Sequence, residues 1–541
     1  MKDSSVNPMQ NRLKIIQENL YGVDFNSNSI FSCQEKVKKW IIGSYKKNLN
    51  NSQIKTINEI VDSKIRSGNI LVGNIFPKDS NLIENEDKKK EKNLFNWNDQ
   101  FPDIFNKQQA GFDIILCNPP YVTKDLPQSD IKLYRELYKE KIVVNRLNLY
   151  HLFFARVTDL LHSNGIATFL TANSVLTDRF SVKLRDYLLA NFQLSSIIDF
   201  VSRNKIFPNV LQGTCILILS KKKTPTNQYK TQVIRTFDIE SLNKGITENH
   251  QIPIKDLVHF NKIVPSPFSS TFKIIKIMNK HTMLLKDIVK IQSGEIRPAD
   301  KNIRPFYFKE LQDYDSSSQF DIILNGKNVH PFCVNLTSKR QKPRWYFKRN
   351  DSTNEVYRKD HAMMPRIVIQ RITAREQMRR VISGIITDND IDKNSRIWVE
   401  NNLNYILLDS KILNPHLSQN VLLGLFNSLL INWYIHQINL TAAIPPADLG
   451  LIPLPKYNSR ANDDWKKLDR KVSQLQKIIK HLPNSSEILT ALCPVCSPNE
   501  KISKLRSEID TAVFQLYDLP DKYEKEVLHQ LTLHHSYFNH H

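Results

Sequence analysis

The sequence predicts an α/β protein: a doubly wound sheet, then an α+β region and a helical C-terminal segment. Three observations carry this. Residues 112–117 are an apolar, β-branched run that stops at two prolines, as a buried strand does when it ends in a stiff turn. Around it, strand-like runs at 165–171, 195–200 and 213–219 alternate with an amphipathic helical pattern at 149–161. Beyond residue 285, short apolar runs are separated by polar turns, and residues 465–480 and 501–517 then alternate apolar and charged residues with helical period.

In chain order, residues 20–25 read as a short strand ending in the carboxylate of Asp24. In a doubly wound sheet such a carboxylate at a strand tip accepts hydrogen bonds from a ribose diol, although acidic strand ends are common. Residues 64–74 contain Gly68, Asn69, Gly73 and Asn74 and read as a turn. The charged tract 84–92 is a solvated loop or insertion, and 131–141 is a charged helix placed to act as a lid. Residues 221–230 are a polar link and 251–267 a proline-punctuated passage, so 226–280 is expected to be a linker. Residues 418–437 are apolar on most sides and predict one core helix. The expected organisation is 1–225, a catalytic domain; 226–280, the linker; 281–460, a recognition domain; and 461–541, a helical region.

The corner Asn118-Pro119-Pro120-Tyr121 is the candidate for chemistry. Open α/β sheets place ligands at the carboxyl ends of their strands, where this corner lies. A purine amine has its lone pair conjugated into the ring and is a poor nucleophile. The Asn118 side-chain oxygen and the Pro119 carbonyl can each accept one of its hydrogens, which frees the lone pair without a strong base. Tyr121 offers a flat face on which an extruded base stacks.

These residues resemble the NPPY signature of amino-methyltransferases that use S-adenosylmethionine. That signature is shared by DNA adenine methylases, ribosomal RNA guanine methylases and release-factor glutamine methylases. Further segments resemble the Eco57-type and Taq-type adenine methylases of restriction–modification systems (Type IIG-like), and the resemblance runs from about Ile15 through nearly the whole chain. It implies that Asp24 holds the cofactor ribose, that Phe25 packs on its adenine and that Asn69 contacts the same ring, with Asn118 also on the cofactor side. It implies that Phe207, in Lys205-Ile206-Phe207-Pro208-Asn209, closes on the face of the flipped base opposite Tyr121. Leu324-Asn325-Gly326-Lys327 and Ile452-Pro453-Leu454-Pro455 are among the landmarks resembling a target-recognition domain. Asn at position 118, where cytosine amino-methylases of this kind usually carry Ser, favours adenine. Carbon-5 methylation would need a cysteine after a proline, and Cys117 precedes both prolines.

One departure stands at the front. The family places a Gly-rich motif before the ribose carboxylate, and residues 1–24 contain only Gly22. The expectation is a truncated or split methylase with an incomplete Rossmann-like sheet, completed by a separately encoded N-terminal fragment.

The net charge of +22 implies a polyanionic partner, here double-stranded DNA with a flipped adenine, although a Lys- and Asn-rich composition is also what an AT-rich genome produces. Residues 339–380 carry 13 Lys or Arg against four Asp or Glu. Arg344, Lys348, Arg349, Arg371, Arg379 and Arg380 are the candidate DNA contacts. A release-factor methylase would have no use for such a region. Six cysteines scattered in apolar stretches suit a reducing cytoplasm, and the lone Cys493-Pro494-Val495-Cys496 has no second pair for a zinc site. No run is long enough to span a bilayer. The expected activity is adenine N6-methylation of DNA; the rival is a DNA-binding specificity fragment that no longer catalyses.

Overall fold

The computed structural model describes residues 8–43, 49–73, 94–121, 128–138, 141, 148–201, 206, 213–221, 228–280, 283–297, 320–336, 345–348, 359–375, 377–391, 396–408, 417–455, 462–482 and 499–539. Three helices come first, α1 (Pro8–Asn19), α2 (Ser27–Ile42) and α3 (Asn51–Lys64), together with the short strands β1 (Gly22–Asp24) and β2 (Ile65–Ser67). Asn26 caps α2 by accepting from the Asn28 and Ser29 amides, and Asn50 and Gln53 form a reciprocal capping box on α3. Ile16, Ile30, Ile41, Ile57 and Val61 close a core between these helices.

Among the described residues the main sheet holds six strands: β3 (Phe112–Cys117), β4 (Leu161–Ala172), β5 (Phe192–Phe200), β6 (Thr214–Lys221), β7 (Lys230–Thr236) and β8 (Glu248–Pro253). Their order is β3-β4-β6-β5-β7-β8, with β3 parallel to β4, β5 parallel to β7, and β8 antiparallel on the far edge. The sheet is therefore mixed. Residues 226–280 are not a linker: β7 and β8 extend the sheet, with Val233 and Ile252 buried. β7 is polar apart from Val233 and Ile234, and β8 is polar apart from Ile252 and Pro253, so the apolar signal of a strand is weak in the sequence.

The strand expected to be buried, β3, is covered on one face only. Phe112 and Ile115 meet the aromatic cluster of Phe95, Trp97, Phe101 and Phe105. Ile114 and Leu116 are 66% and 79% exposed, and Ile166, opposite Ile114 in the β4 ladder, is also exposed. β1 and β2 form a separate parallel pair. The Tyr21 ring, next to β1, packs on Phe112 with 5.5 Å between centroids, yet no ladder joins β1 to β3 among the described residues.

Helix α4 (Gln128–Leu137) follows, and α5 (Leu149–Leu160) is buried almost all round rather than amphipathic. Phe154 stacks on Phe169 of β4 at 3.8 Å, and the polar residues His151, Arg156 and Thr158 are also inside.

Two compact units are distinguishable: residues 1–170, 186–194 and 218–225, and residues 171–185, 195–217 and 226–541. In the second, strands Ile291–Ser293, Leu403–Leu407, Arg366–Gln370 and Ser383–Ile386 form an antiparallel sheet. Helices Gln419–Asn427, Leu429–Ile438, Asn462–Lys480 and Glu500–Leu516 share its core: Ile367 and Ile369 belong to one cluster with Leu422, Trp433, Leu468, Val472 and Val513. The expected single helix over 418–437 is thus two, meeting at 60°. Ser428 leaves helical geometry at ψ 155° and its hydroxyl caps the second helix at Ile431. Among the described residues no single helix is long and apolar enough to cross a membrane, and this bent pair is core.

A buried histidine gives this unit an acid-sensitive joint. Asn279 donates to His259 Nδ1 at 3.2 Å, Nε2 lies 2.8 Å from the Tyr434 hydroxyl, and Tyr434 donates to the Leu451 carbonyl at 3.1 Å. The neutral ring satisfies every partner. Burial, helped by Lys262, pushes His259 down from 6.5 to about 4. The unfolded chain takes up this proton first, so the stabilisation is full above pH 6.5 and drains away as pH falls toward 4, by about 2–3 kcal/mol. Urea midpoints at pH 7.5 and 4.5 should differ less in His259→Gln than in the wild type. An unchanged difference would dismiss the ring as the sensor.

Candidate active site

β3 delivers the corner. Its ladder with β4 runs to Cys117 opposite Phe169, after which neither proline can donate to a neighbouring strand. Pro119 is buried, while Asn118 and Pro120 are exposed. The Tyr121 hydroxyl, with one hydrogen to give, lies 3.1 Å from the Leu170 carbonyl and 3.3 Å from Asn118 Oδ1. The ring is therefore held at β4 while the Asn118 amide faces solvent. Burial pushes the Cys117 thiol up to about 12, which removes it as a nucleophile.

The parallel pairing of β1 with β2 brings together the other polar candidates. Asp24 is the register mate of Ser67, and the Gly68 amide donates to the Asp24 carbonyl at 3.0 Å. Asp24 is exposed and accepts the Asn26 amide at 2.7 Å, which ties its carboxylate to the start of α2. Beside it the Phe25 ring is 67% exposed. Asn69 lies two residues past Ser67, makes a parallel bridge with Leu94 and receives the Leu71 amide on Oδ1 at 3.1 Å. This is an Asx turn, so part of the Asn69 amide is spent on its own backbone. Its Nδ2 points at the Tyr134 hydroxyl, 3.3 Å away. Phe207 lies outside the described residues, as do Arg344 and Arg349; of Lys348 only the backbone, in strand Trp345–Lys348, is described.

Most described arginines of the basic region turn inward. Arg380 is fully buried, bound to the side chain and carbonyl of Asn439 and to the Thr441 carbonyl. Arg379 reaches the Asn427 carbonyl and the buried Asp510, whose carboxyl burial pushes up against the pull of that guanidinium. Arg371 is half-buried and donates to the Asn401 carbonyl at 3.1 Å. Arg379 and Arg380, expected to contact DNA, direct their terminal nitrogens to internal carbonyls, an amide oxygen and a carboxylate. Arg366 and Arg375 behave alike, paired with Glu295 and Asp199. A dense arginine run reads the same in sequence whether solvent or distant carboxylates neutralise it. Tyr134, Tyr138 and Arg156, which surround the Asn69 turn, carry no motif in the sequence; the one signal is an arginine in the middle of a helix that is mostly apolar.

Residues 18–207, which contain Asp24, Asn69 and the whole corner, match the family described as Eco57I restriction-modification methylase. This segment is therefore similar to Eco57I-type restriction-modification methylases. The chain is 29% identical over 216 residues to the Type II restriction enzyme and methyltransferase RM.Eco57I of Escherichia coli, covering 39% of this chain and 19% of that enzyme. It is 22% identical over 359 residues to the Type II methyltransferase M.BsuBI of Bacillus subtilis, covering 65% of this chain and 67% of that protein. Among solved structures, that of the Type IIL restriction-modification enzyme MmeI in complex with DNA aligns with a TM-score of 0.56 at 12% identity, over 98% of this chain and 75% of that one. This is a likeness of fold, and it extends past residues 18–207 over nearly the whole chain.

Proposed function

We propose that the chain is the methylase and specificity part of a restriction–modification enzyme acting in the cytoplasm, methylating the N6 amine of adenine in duplex DNA. The observation that carries this reading is the corner itself: an exposed Asn118 amide on a backbone stiffened by a buried proline and a pinned Tyr121. Asn118 Oδ1 and the Pro119 carbonyl accept the two amine hydrogens, leaving the nitrogen lone pair free to attack. Tyr121 and Phe207 stack on the two faces of the extruded base. No side chain of the protein forms a bond to the base, in keeping with the suppressed Cys117 thiol.

The methyl donor in this reading is S-adenosylmethionine, which supplies an electrophilic methyl group when bound. The residues at the end of β1 fit it. Asp24 offers an exposed carboxylate to a ribose diol, and Phe25 an exposed ring to a purine. Asn69 keeps one amide hydrogen and one oxygen lone pair beyond its Asx turn and its contact with Tyr134.

DNA binding draws on the net charge of +22. With Arg379 and Arg380 internal, backbone contact is assigned to Arg344, Lys348, Arg349 and Arg371. A separately encoded fragment bearing a Gly-rich turn is proposed as a partner, because among the described residues β3 ends its sheet, with Ile114 and Leu116 exposed. That same open edge favours a second reading, a specificity subunit that binds DNA without transferring methyl groups by itself.

One experiment separates these readings. The chain, alone and together with the polypeptide encoded upstream, is incubated with tritiated S-adenosylmethionine and plasmid DNA, and the nucleosides are then separated. Label in N6-methyladenine supports the enzyme reading. DNA binding without label in either mixture leaves the specificity subunit, and absence of salt-sensitive DNA binding rejects both.

A further inference from the structure

We propose that Arg156, Tyr138 and Tyr134 are positioning residues for methyl transfer: they clamp the turn at residues 69–72 to helix α4 and so place a bound nucleoside. This rests on the reading of the Asp24–Asn69 region as a cofactor site.

The contacts interlock. Arg156, 7% exposed in the middle of α5, donates through Nη2 to the Leu71 carbonyl at 3.0 Å and through Nε to the Tyr138 hydroxyl at 3.0 Å. Tyr138 in turn donates to the same Leu71 carbonyl at 2.8 Å. One backbone oxygen thus receives two side-chain hydrogens, one of them from a cation. Tyr134, one turn earlier on α4 and also buried, meets Asn69 Nδ2. Burial pushes the Tyr138 phenol up to about 12, against the pull of Arg156, so it stays protonated and able to donate.

Holding a short turn does not require a guanidinium. Leu71 and Val72 are already buried, the Val72 carbonyl accepts the Phe95 amide, and Asn69 bridges Leu94. Taking an arginine out of water is costly, and charge-assisted hydrogen bonds recover that cost only with good geometry. The clamp therefore adds precision to a turn that packing already secures. α4 is also the first described element after Tyr121. It thus ties the chain that follows the corner to the turn that meets the nucleoside.

The test uses the chain in whichever form binds S-adenosylmethionine, alone or with the upstream polypeptide. Wild type, Arg156→Met, Arg156→Lys and Tyr138→Phe are compared by calorimetric Kd for S-adenosylhomocysteine, by KM and kcat for the methyl donor, and by DNA affinity. Arg156→Met should weaken product binding and raise KM about tenfold or more, the effect of losing a hydrogen bond from a charged donor. DNA affinity should stay within about twofold, kcat should change less than KM, and Arg156→Lys should recover part of the loss. Tyr138→Phe, which removes one oxygen, should show a smaller shift of the same kind. Wild-type cofactor affinity in Arg156→Met and Tyr138→Phe overturns the clamp while leaving the site reading intact. Parallel loss of cofactor and DNA binding in both variants makes these residues merely structural and also overturns it. Failure of the wild type to bind in either form removes the cofactor reading itself, and the clamp with it.

Discussion

Asn118→Ala is expected to lower kcat for methyl transfer by about 10²–10³-fold, with cofactor and DNA affinities close to those of the wild type. The reason is differential. The Asn118 oxygen gains most when the amine hydrogens become acidic, as the nitrogen gives up its lone pair, so little ground-state binding is lost. The residue is exposed at the end of β3, and Pro119 beside it is buried. Truncating it therefore leaves the corner's backbone in place, and the variant should unfold at the wild-type urea concentration. Asn118→Asp tests the sign: a carboxylate still accepts hydrogens but brings a full charge beside DNA phosphate, so DNA binding should weaken where Ala does not weaken it. Single-turnover kinetics on a methylatable duplex would decide. Undiminished transfer in Asn118→Ala would remove the corner from the mechanism.

Asp199→Asn should destabilise the protein by about 3–5 kcal/mol, the expected penalty when one partner of a buried ion pair is neutralised. Asp199 is fully buried on β5 and takes both terminal nitrogens of Arg375, at 2.7 and 3.3 Å. Arg235, its register mate on β7, stands 3.5 Å away through Nε. One carboxylate thus faces two guanidiniums, and neutralising it takes a negative charge away from both. Arg375→Met should cost less, because Asp199 keeps Arg235. The double variant should recover part of the loss, since the coupled pair disappears together. Urea unfolding followed by tryptophan fluorescence measures all three. A cost below about 1 kcal/mol for Asp199→Asn would mean the pair is solvated in solution.

The corner and the strands that frame it were legible because their causes are local. Two prolines end a ladder wherever they stand, and an apolar run of six residues before them is a strand in most surroundings. The predicted strands at 165–171, 195–200 and 213–219 lie within β4, β5 and, but for one leading residue, β6. Legibility failed where neutralisation or coverage comes from far along the chain. The partner of Arg375 is 176 residues away, that of Arg379 is 131 and that of Arg366 is 71. Nothing near those arginines distinguishes an internal guanidinium from one waiting for phosphate. The bend at Ser428 escaped for a related reason: apolar residues continue across it, and only a hydroxyl capping Ile431 shows that the backbone turns.

From its residues alone this chain determines a strand-to-corner unit carrying Asn118 and Tyr121, a carboxylate at the tip of an earlier strand, and a strong positive charge, because each depends on neighbours a few positions away. Tertiary structure alone decided that 226–280 completes a sheet, that most described arginines of the basic region are core, and that Arg156 fastens the Asn69 turn. Those outcomes depend on which distant groups share a low-dielectric interior. There a charge must find its partner or pay for desolvation, and only the folded chain says where that partner is.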